Sequence, residues 1–373
     1  MRVGIDVSPL TLARTGVGQY THALLRQLLR LGDGTEFRGL SSGLGAMDAA
    51  ALEGLAAHRH VRVPTRALYQ AWSCLRWPKA DRLIGGVDVY HATNYFLPPT
   101  STARRVVTIY DLAFLRVPAL CSPKIVGPFS RGVRRFAREA DAILVCSEAT
   151  RRDVVELLEV PEQKTAVAHG AVDEDFVPVP RDEAARILAG RYGIETPFLL
   201  FVSTIEPRKN VPGLLRAFAR VSDEFPHQLV LIGGTGWNSE DVDPLIAELG
   251  IASRVRRMGY LPNRRDLPLF YSAADCFVFP SFYEGFGLPV LEAMTCGCPV
   301  VTSKRSSLPE VAGDAAAYAD PEDVESIAGA VRAVLADASR RDAMRVQGLS
   351  QAQRFSWEHC ARVTMEMYRR LAP

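Results

Sequence analysis

Glu284-Gly285-Phe286-Gly287-Leu288-Pro289-Val290-Leu291-Glu292 is the stretch on which the reading of this chain turns. Two carboxylates stand eight positions apart, one on each side of a Gly-Phe-Gly turn. The apolar run before it, Cys276-Phe277-Val278-Phe279-Pro280-Ser281, reads as a buried strand. Leu288 to Met294 after it reads as an apolar helix with Pro289 near its start. Strand, glycine turn and Pro-started helix is the layout of an anion site at the carboxyl edge of a parallel sheet. Glu284 is expected in the loop and Glu292 about two turns into the helix, so they project towards different points along a crevice. A molecule with a phosphate in the middle and hydroxyl-bearing rings at both ends fits that arrangement, and a sugar nucleotide is such a molecule.

Outward from that segment, strand candidates alternate with helical patterns along the whole chain. In the first half the strands are expected at Arg2–Val7, Val87–His91, Arg105–Tyr110, Ala142–Cys146 and Thr165–Ala168, with helices at Gly18–Arg30 and Ser130–Glu139. The rhythm restarts at Phe198–Ser203, then Gln228–Ile232, Arg254–Arg257, Cys276–Phe279 and Pro299–Thr302. Ser147 is read as the cap of a helix reaching Leu158, and Asp320-Pro321-Glu322-Asp323 as a cap with Pro at the first helical position. This alternation predicts an α/β protein with parallel sheets covered on both faces. Two such series, with the acidic, proline-bearing stretch Asp173–Asp182 between them, predict Rossmann-like domains over residues 1–175 and 183–355. Ligand is expected in a cleft between them. Residues 356–373 are expected to form a helix that packs back on the first domain.

A length of 373 residues suits two ordinary domains, and 48% apolar with 23% charged residues is a globular composition. No apolar run approaches the roughly 18 residues of a membrane span. Arg2 to Val7 reads as a first strand rather than a signal peptide. The seven scattered cysteines suggest reduced thiols in a cytoplasm, and the lone pair Cys296-Gly297-Cys298 is too small a set for structural zinc. The net charge of +2 conceals an asymmetry. Residues 1–140 carry 19 Lys and Arg against 9 Asp and Glu, a net of +10, and the other 233 carry 25 against 33, a net of −8. The basic half points to an acidic partner such as anionic lipid or a phosphorylated acceptor, with a merely solvated surface as the plainer alternative. Neither a fixed-period repeat nor a low-complexity tract is present.

Four further constellations stand out. Ser203-Thr204-Ile205-Glu206-Pro207-Arg208-Lys209-Asn210 puts two cations after a strand and just before the helical pattern Val211–Val221. The helix dipole disfavours cations there, so an anion between them and the helix relieves the conflict. The plainer alternative is an exposed loop, and the Glu284–Glu292 pair in the same half weighs against it. Thr15-Gly16-Val17-Gly18-Gln19-Tyr20 follows the first strand, where glycines let backbone N–H groups approach a phosphate. As a dinucleotide fingerprint it is incomplete, with Thr21 at the third small position, and a tight turn remains open. Thr108-Ile109-Tyr110-Asp111-Leu112 ends a buried strand, as His91 ends another, and polar residues there face a crevice; for His91 a hydrogen-bonded structural role is the plainer alternative. Between Arg62 and Arg82, Leu68, Trp72 and Leu75 share a helical face flanked by cations. That face suits a lipid interface or, as the slightly favoured reading, a packed core with solvated charges; the basic run Arg131, Arg134, Arg135 and Arg138 keeps the membrane contact open.

Together these residues resemble a family. Glu284 to Glu292 with its Gly-Phe-Gly-Leu-Pro core resembles the E-x7-E motif of the GT4 retaining glycosyltransferases, which have the GT-B fold. Glu206-Pro-Arg-Lys-Asn210 resembles the donor-phosphate motif of a mannosyltransferase-like branch. Gly16-Val17-Gly18 looks like the N-terminal glycine loop, and Ser147–Thr150 and His169–Asp173 like later landmarks. The resemblance covers residues from about 2 to about 320.

It implies that Arg208 and Lys209 hold a donor diphosphate, Glu284 the hydroxyls of the transferred sugar and Glu292 the ribose. The backbone of Gly285, Phe286, Gly287 and Leu288 would face phosphate and sugar, Tyr260 and Leu261 would lie near the base, and Ser203 would join the donor site. The family often has Arg where Thr204 stands and His where Tyr110 stands. Tyr110 would then keep a positioning role or share its duty with Asp111, because a phenol is a poor proton acceptor near neutral pH.

The implied reaction moves a hexose from a nucleotide sugar to a saccharide or lipid-linked saccharide, with cations in place of a metal and no cofactor. GDP-mannose is the expected donor, and cell-surface polysaccharide the expected product class. The place of work would be the cytoplasm or the inner face of an anionic membrane, with no nucleic acid as partner. Competing readings are a nucleotide-sugar 2-epimerase, a non-catalytic nucleotide-sugar-binding protein and an NAD-dependent oxidoreductase. The last is weakened by the missing third glycine and by the lack of a clear acidic residue after a second strand.

Overall fold

The computed structural model describes residues 1–11, 16–45, 47, 49–195, 197–239 and 242–372. The chain divides into two compact units. Met1–Arg116, Pro123–Gly170 and Ser356–Pro373 form one, and Val117–Ser122 with Ala171–Phe355 the other.

In the first unit, β1 (Arg2–Asp6), β2 (Glu36–Ser42), β3 (Ala57–Val61), β4 (Val89–Ala92), β5 (Arg104–Ile109), β6 (Ala142–Val145) and β7 (Thr165–Val167) form one parallel sheet in the order β3-β2-β1-β4-β5-β6-β7. Strands β4 and β6 are buried throughout, which is why β6, Ala-Ile-Leu-Val, reads as an unbroken apolar run. At their carboxyl ends the loops are stitched together: Thr93 Oγ1 donates to the Asp6 carbonyl (2.7 Å) and the Tyr110 hydroxyl to the Thr93 carbonyl (2.7 Å). β2 and β3 were not anticipated. β3 is an edge strand, Ala-His-Arg-His-Val, with no inward apolar face to give a period-2 signal.

The C-terminal helix Trp357–Leu371 packs against helix Gly16–Arg30 of this unit, as expected. Its start is capped by Ser356, whose Oγ accepts from His359 N (3.1 Å). Tyr20 and Trp357 meet edge to face (5.2 Å), and the Tyr368 hydroxyl reaches His91 Nδ1 (2.6 Å). Thr108 Oγ1 holds the other ring nitrogen of His91 (2.7 Å), and burial lowers this imidazole to about 3, so it stays neutral as a structural link.

In the second unit, β8 (Phe198–Val202), β9 (Gln228–Ile232), β10 (Val255–Gly259), β11 (Cys276–Phe279), β12 (Val300–Ser303) and β13 (Ala316–Ala319) form a parallel sheet in the order β10-β9-β8-β11-β12-β13. β13 was not anticipated because Ala-Ala-Tyr-Ala has little β propensity. The chain leaves β8 towards β9 on one side and resumes with β11 on the other, so strand order reverses between β8 and β11. A parallel sheet opens its ligand crevice at such a point. Phe277 lies in register with Leu200, so the loops after β8 and β11 emerge side by side.

One helix start and one helix end depart from expectation. Helix Val324–Leu335 is capped by Asp323, whose Oδ1 accepts from Glu325 N (2.9 Å). Pro321 precedes it and lends its carbonyl to Asn210 Nδ2 instead (2.7 Å). Helix Thr65–Cys74 ends one residue before Leu75, which is 71% exposed, while Leu68 and Trp72 are buried. Leu68 and Trp72 are therefore packed inward, the favoured reading for this face, and Trp72 Nε1 donates to the Pro78 carbonyl (2.8 Å).

Candidate active site

The apolar strand β8 ends at Val202 and leads through Ser203 into a 3₁₀ turn, Pro207–Lys209, and helix Val211–Val221. Asn210 joins turn to helix in a left-handed conformation (φ 55°, ψ 40°), and its Oδ1 caps Gly213 N (3.2 Å). A Cβ on Gly213 would lie 2.4 Å from that oxygen, so the cap requires glycine. The turn faces Lys209 inwards.

Beside it, β11 ends at Phe279 and the chain turns through Glu284. Gly287, at φ 108°, starts helix Leu288–Thr295 with Pro289 in its first turn. Here the two segments meet. Lys209 Nζ donates to both Glu284 oxygens (2.7 and 2.8 Å). Arg208 Nη1 reaches Glu284 Oε2 (3.2 Å) and the Tyr283 carbonyl (2.8 Å), and its Nη2 reaches Glu206 Oε1 (2.8 Å). Ser281 Oγ donates to Glu284 Oε1 (2.6 Å), and Lys209 Nζ also lies 5.3 Å from the Phe279 ring centre. Glu284 and Lys209 are only 6% and 7% exposed.

Serines fix the Glu284 loop. Ser306 Oγ accepts from Glu284 N (2.7 Å), and Ser307 Oγ donates to the carbonyls of Glu284 (2.9 Å) and Phe286 (2.7 Å). Ser303 Oγ donates to the Ser281 carbonyl (2.5 Å). None of these serines was anticipated, although Ser303-Lys304-Arg305-Ser306-Ser307 at the end of β12 is a polar run in the right place. Gly285, Phe286, Gly287 and Leu288 form the frame between Glu284 and the helix; Phe286 is buried and its carbonyl is taken by Ser307.

The carboxylates differ. Burial works to raise Glu284, but Lys209, Arg208 and Ser281 outweigh it and hold this carboxyl below its ordinary range. Burial and the adjacent Arg208 lower Lys209. For this pair the ionised state is the one the geometry supports, since each charge has its partner within hydrogen-bonding distance. Glu292 is instead raised by burial, against the pull of Arg264 and Tyr271. It is the fifth residue of its helix, just over one turn in rather than two, because the helix begins at Leu288. Arg264 Nη2 holds its Oε1 (2.5 Å) and the Tyr271 hydroxyl its Oε2 (2.9 Å). Neither partner was anticipated.

Ser203 is half-buried and its N–H donates to the Ile232 carbonyl (2.9 Å). Tyr260 follows β10 and is 75% exposed, and Leu261 beside it is half-buried. The Tyr260 ring lies against Gly234, where a Cβ would come within 2.1 Å of it. Gly233, at φ 139°, passes so close to the Ser203 carbonyl that a Cβ would lie 1.9 Å away. Glycines thus let the loops after β8, β9 and β10 close on one another at the same sheet edge.

The remaining predicted residues lie in the first unit. Gly16, Val17 and Gly18 form the first turn of helix Gly16–Arg30 rather than a loop before it, and Thr15 lies outside the described residues. The Tyr110 hydroxyl is bound to the Thr93 carbonyl, and burial pushes it well above the usual phenol range. Asp111 turns Oδ1 onto Ala113 N (3.0 Å), and its N–H donates to the Tyr95 hydroxyl (2.9 Å). Among the described residues no group of three or more His, Cys, Asp or Glu is placed to hold a metal ion.

Buried Lys209 and half-buried Arg208, clamped on one carboxylate beside a glycine-started helix at a strand-order reversal, can receive a polyanion with hydroxyl-bearing ends. The model of "Glycosyl transferases group 1" matches residues 191–351 and that of "Glycosyltransferase Family 4" residues 14–176. The chain is 36% identical over 285 residues to the O-antigen chain mannosyltransferase B of Escherichia coli, covering 76% of this chain and 74% of that one. Sucrose-phosphate synthase from Thermosynechococcus elongatus superposes with a TM-score of 0.78 at 19% identity, over 99% of this chain and 98% of that one. Anabaena Alr3699/HepE in complex with UDP-glucose does so at 0.75 and 18% identity, over 99% and 100%. The two structures speak for the fold, and the family models and the 36% relative for membership: the chain belongs to the group 1 glycosyltransferases of family GT4, retaining hexosyltransferases with the GT-B fold.

Proposed function

We propose that the chain transfers mannose from GDP-mannose, with retention of configuration, to a saccharide or lipid-linked saccharide during synthesis of a cell-surface polysaccharide. The observation that carries the reading is the clamp of Lys209 and Arg208 on Glu284. The mannosyl choice is supported by the O-antigen mannosyltransferase named above and by the Glu206–Asn210 sequence.

Arg208 and Lys209 take the donor diphosphate, and Glu284, as they turn to it, offers its oxygens to hydroxyls of the sugar. Glu292 takes the ribose, Tyr260 and Leu261 the base, and Ser203 with the backbone of Gly285 to Leu288 the phosphates. As the glycosidic bond breaks, the departing diphosphate gains charge. The two cations and the dipole of helix Leu288–Thr295 therefore stabilise the transition state more than the ground state. The acceptor hydroxyl attacks from the face the diphosphate leaves. Gly16, Val17 and Gly18 offer backbone N–H groups to a phosphate, and Tyr110 and Asp111 belong to the catalytic set, with Tyr110 as a positioning group, because its hydroxyl is already committed to a backbone carbonyl.

The work is placed in the cytoplasm at an anionic membrane face. Exposed Leu75 and Trp77, together with exposed Arg131, Arg134 and Arg138, support that contact; among the described residues no helix is long and apolar enough to cross a membrane.

A panel of nucleotide sugars scored by thermal shift tests the donor, since a ligand of the native state raises the melting temperature by mass action. GDP-mannose should give the largest shift and, with a mannan-type acceptor, an α-linked product. Consumption of donor alone to yield a 2-epimer would overturn the transferase mechanism, and preference for a UDP-sugar would overturn the mannosyl assignment.

A further inference from the structure

Glu292 is a buried carboxylate of a kind that seldom stands alone, being 5% exposed. Each of its oxygens carries one donor, Arg264 Nη2 on Oε1 and the Tyr271 hydroxyl on Oε2. A carboxylate offers about four acceptor positions, so roughly two remain for ligand hydroxyls. Arg264 is itself held from its far side. Its Nη1 lies 3.5 Å from Asp173 Oδ2, and its guanidinium carbon lies 4.9 Å from the Phe176 ring centre. Phe176 in turn stands 6.3 Å from the Tyr271 ring. Asp173, Phe176, Arg264, Tyr271 and Glu292 therefore form one closed set. It joins helix Leu288–Thr295 to the segment by which the chain enters the second unit. The set also gives the sequence landmark His169–Asp173 a physical role that the donor-site assignments leave unexplained.

We propose that Arg264, anchored by Asp173 and Phe176, is the positioning residue that fixes Glu292 for the ribose hydroxyls and so sets the preference for a ribonucleotide donor. This rests on the assignment of Glu292 to the ribose. The planar fork of arginine suits this double contact. One arm reaches Glu292 and the other Asp173, a fixed two-way fork that the rotating donors of a single ammonium do not reproduce. Without Arg264 the buried Glu292 would keep only the Tyr271 hydroxyl, and it would be both misplaced and harder to ionise.

The test compares affinities of the full chain for GDP and 2′,3′-dideoxy-GDP by calorimetry, with UDP and 2′,3′-dideoxy-UDP run in parallel. The wild-type chain should prefer the ribonucleotide by about tenfold or more, the size of hydrogen bonds to a charged group. In Arg264→Gln the preference should fall to about twofold or less, while pyrophosphate affinity stays at the wild-type level. A wild-type preference in Arg264→Gln overturns the inference. Should that variant fail to fold, Arg264→Lys decides: its preference must be reduced, and a wild-type ratio overturns the inference. A wild-type chain that binds either base with no preference for the ribose form overturns the assignment of Glu292 itself, a different and separately visible failure.

Discussion

Lys209 Nζ sits between the two oxygens of Glu284 at 2.7 and 2.8 Å, although 75 residues of chain separate them. Neighbouring strands β8 and β11 deliver them to the same place. A buried pair of this kind does little for net stability beyond meeting its own desolvation cost, but removing one partner strands the other. The arrangement is better understood as cations held ready for an anionic ligand.

Lys209→Ala should reduce turnover by about a hundredfold or more, by analogy with the loss of one preorganised charge contact. It should also destabilise the fold by about 3–5 kcal/mol, because Glu284 is left short of a buried partner. Adding Glu284→Gln to Lys209→Met should restore most of the melting temperature and none of the activity. Recovery of both would show that the pair is structural only.

Acid should act through the same pair. Glu284 titrates below its ordinary range, so it contributes stability above the unfolded-state carboxylate range, and loses it as pH falls through the lowered native value. The melting temperature of Glu284→Gln should therefore lie below wild type near neutrality and converge on it in acid. A constant gap across the acid limb would contradict the assignment.

Ser307→Ala removes the donor to two buried carbonyls, Glu284 and Phe286. A loss of about 1–3 kcal/mol in denaturant unfolding is expected, with weaker donor binding as the loop relaxes. Unchanged stability together with unchanged donor affinity would remove the serines from the account.

Gly234→Ala brings a methyl against the Tyr260 ring, which is mostly exposed and can swing away. Stability should change by no more than about 0.5 kcal/mol. Nucleotide affinity should fall about tenfold, with Tyr260→Ala doing the same, since stacking of a base on an aromatic ring is worth about 1–3 kcal/mol. Wild-type affinity in both variants would remove Tyr260 from the base site.

Much of this was legible in the sequence, and for identifiable reasons. Central parallel strands such as Phe198–Val202 and Cys276–Phe279 are buried on both faces, so they appear as apolar runs bounded by polar loops. The Pro-started helices after them leave local marks at Val211-Pro212 and Leu288-Pro289. What escaped depends on distance or on margins. Arg264 and Tyr271 reach Glu292 across 28 and 21 positions, with no local pattern to announce it. β3 and β13 are edge strands whose polar or alanine-rich residues bury too little to leave a periodic signal. Leu75 fits the apolar helical face by spacing, but the helix stops at Cys74 and the residue turns to solvent.

The central claim is that Arg208 and Lys209 receive the donor diphosphate. Calorimetric titration of wild type and Lys209→Ala with GDP and with guanosine tests it most directly. The diphosphate should give GDP a large advantage over guanosine in wild type, and that advantage should shrink about tenfold or more in the variant, the loss expected for a charge-assisted contact. An advantage of equal size in both proteins would contradict the account.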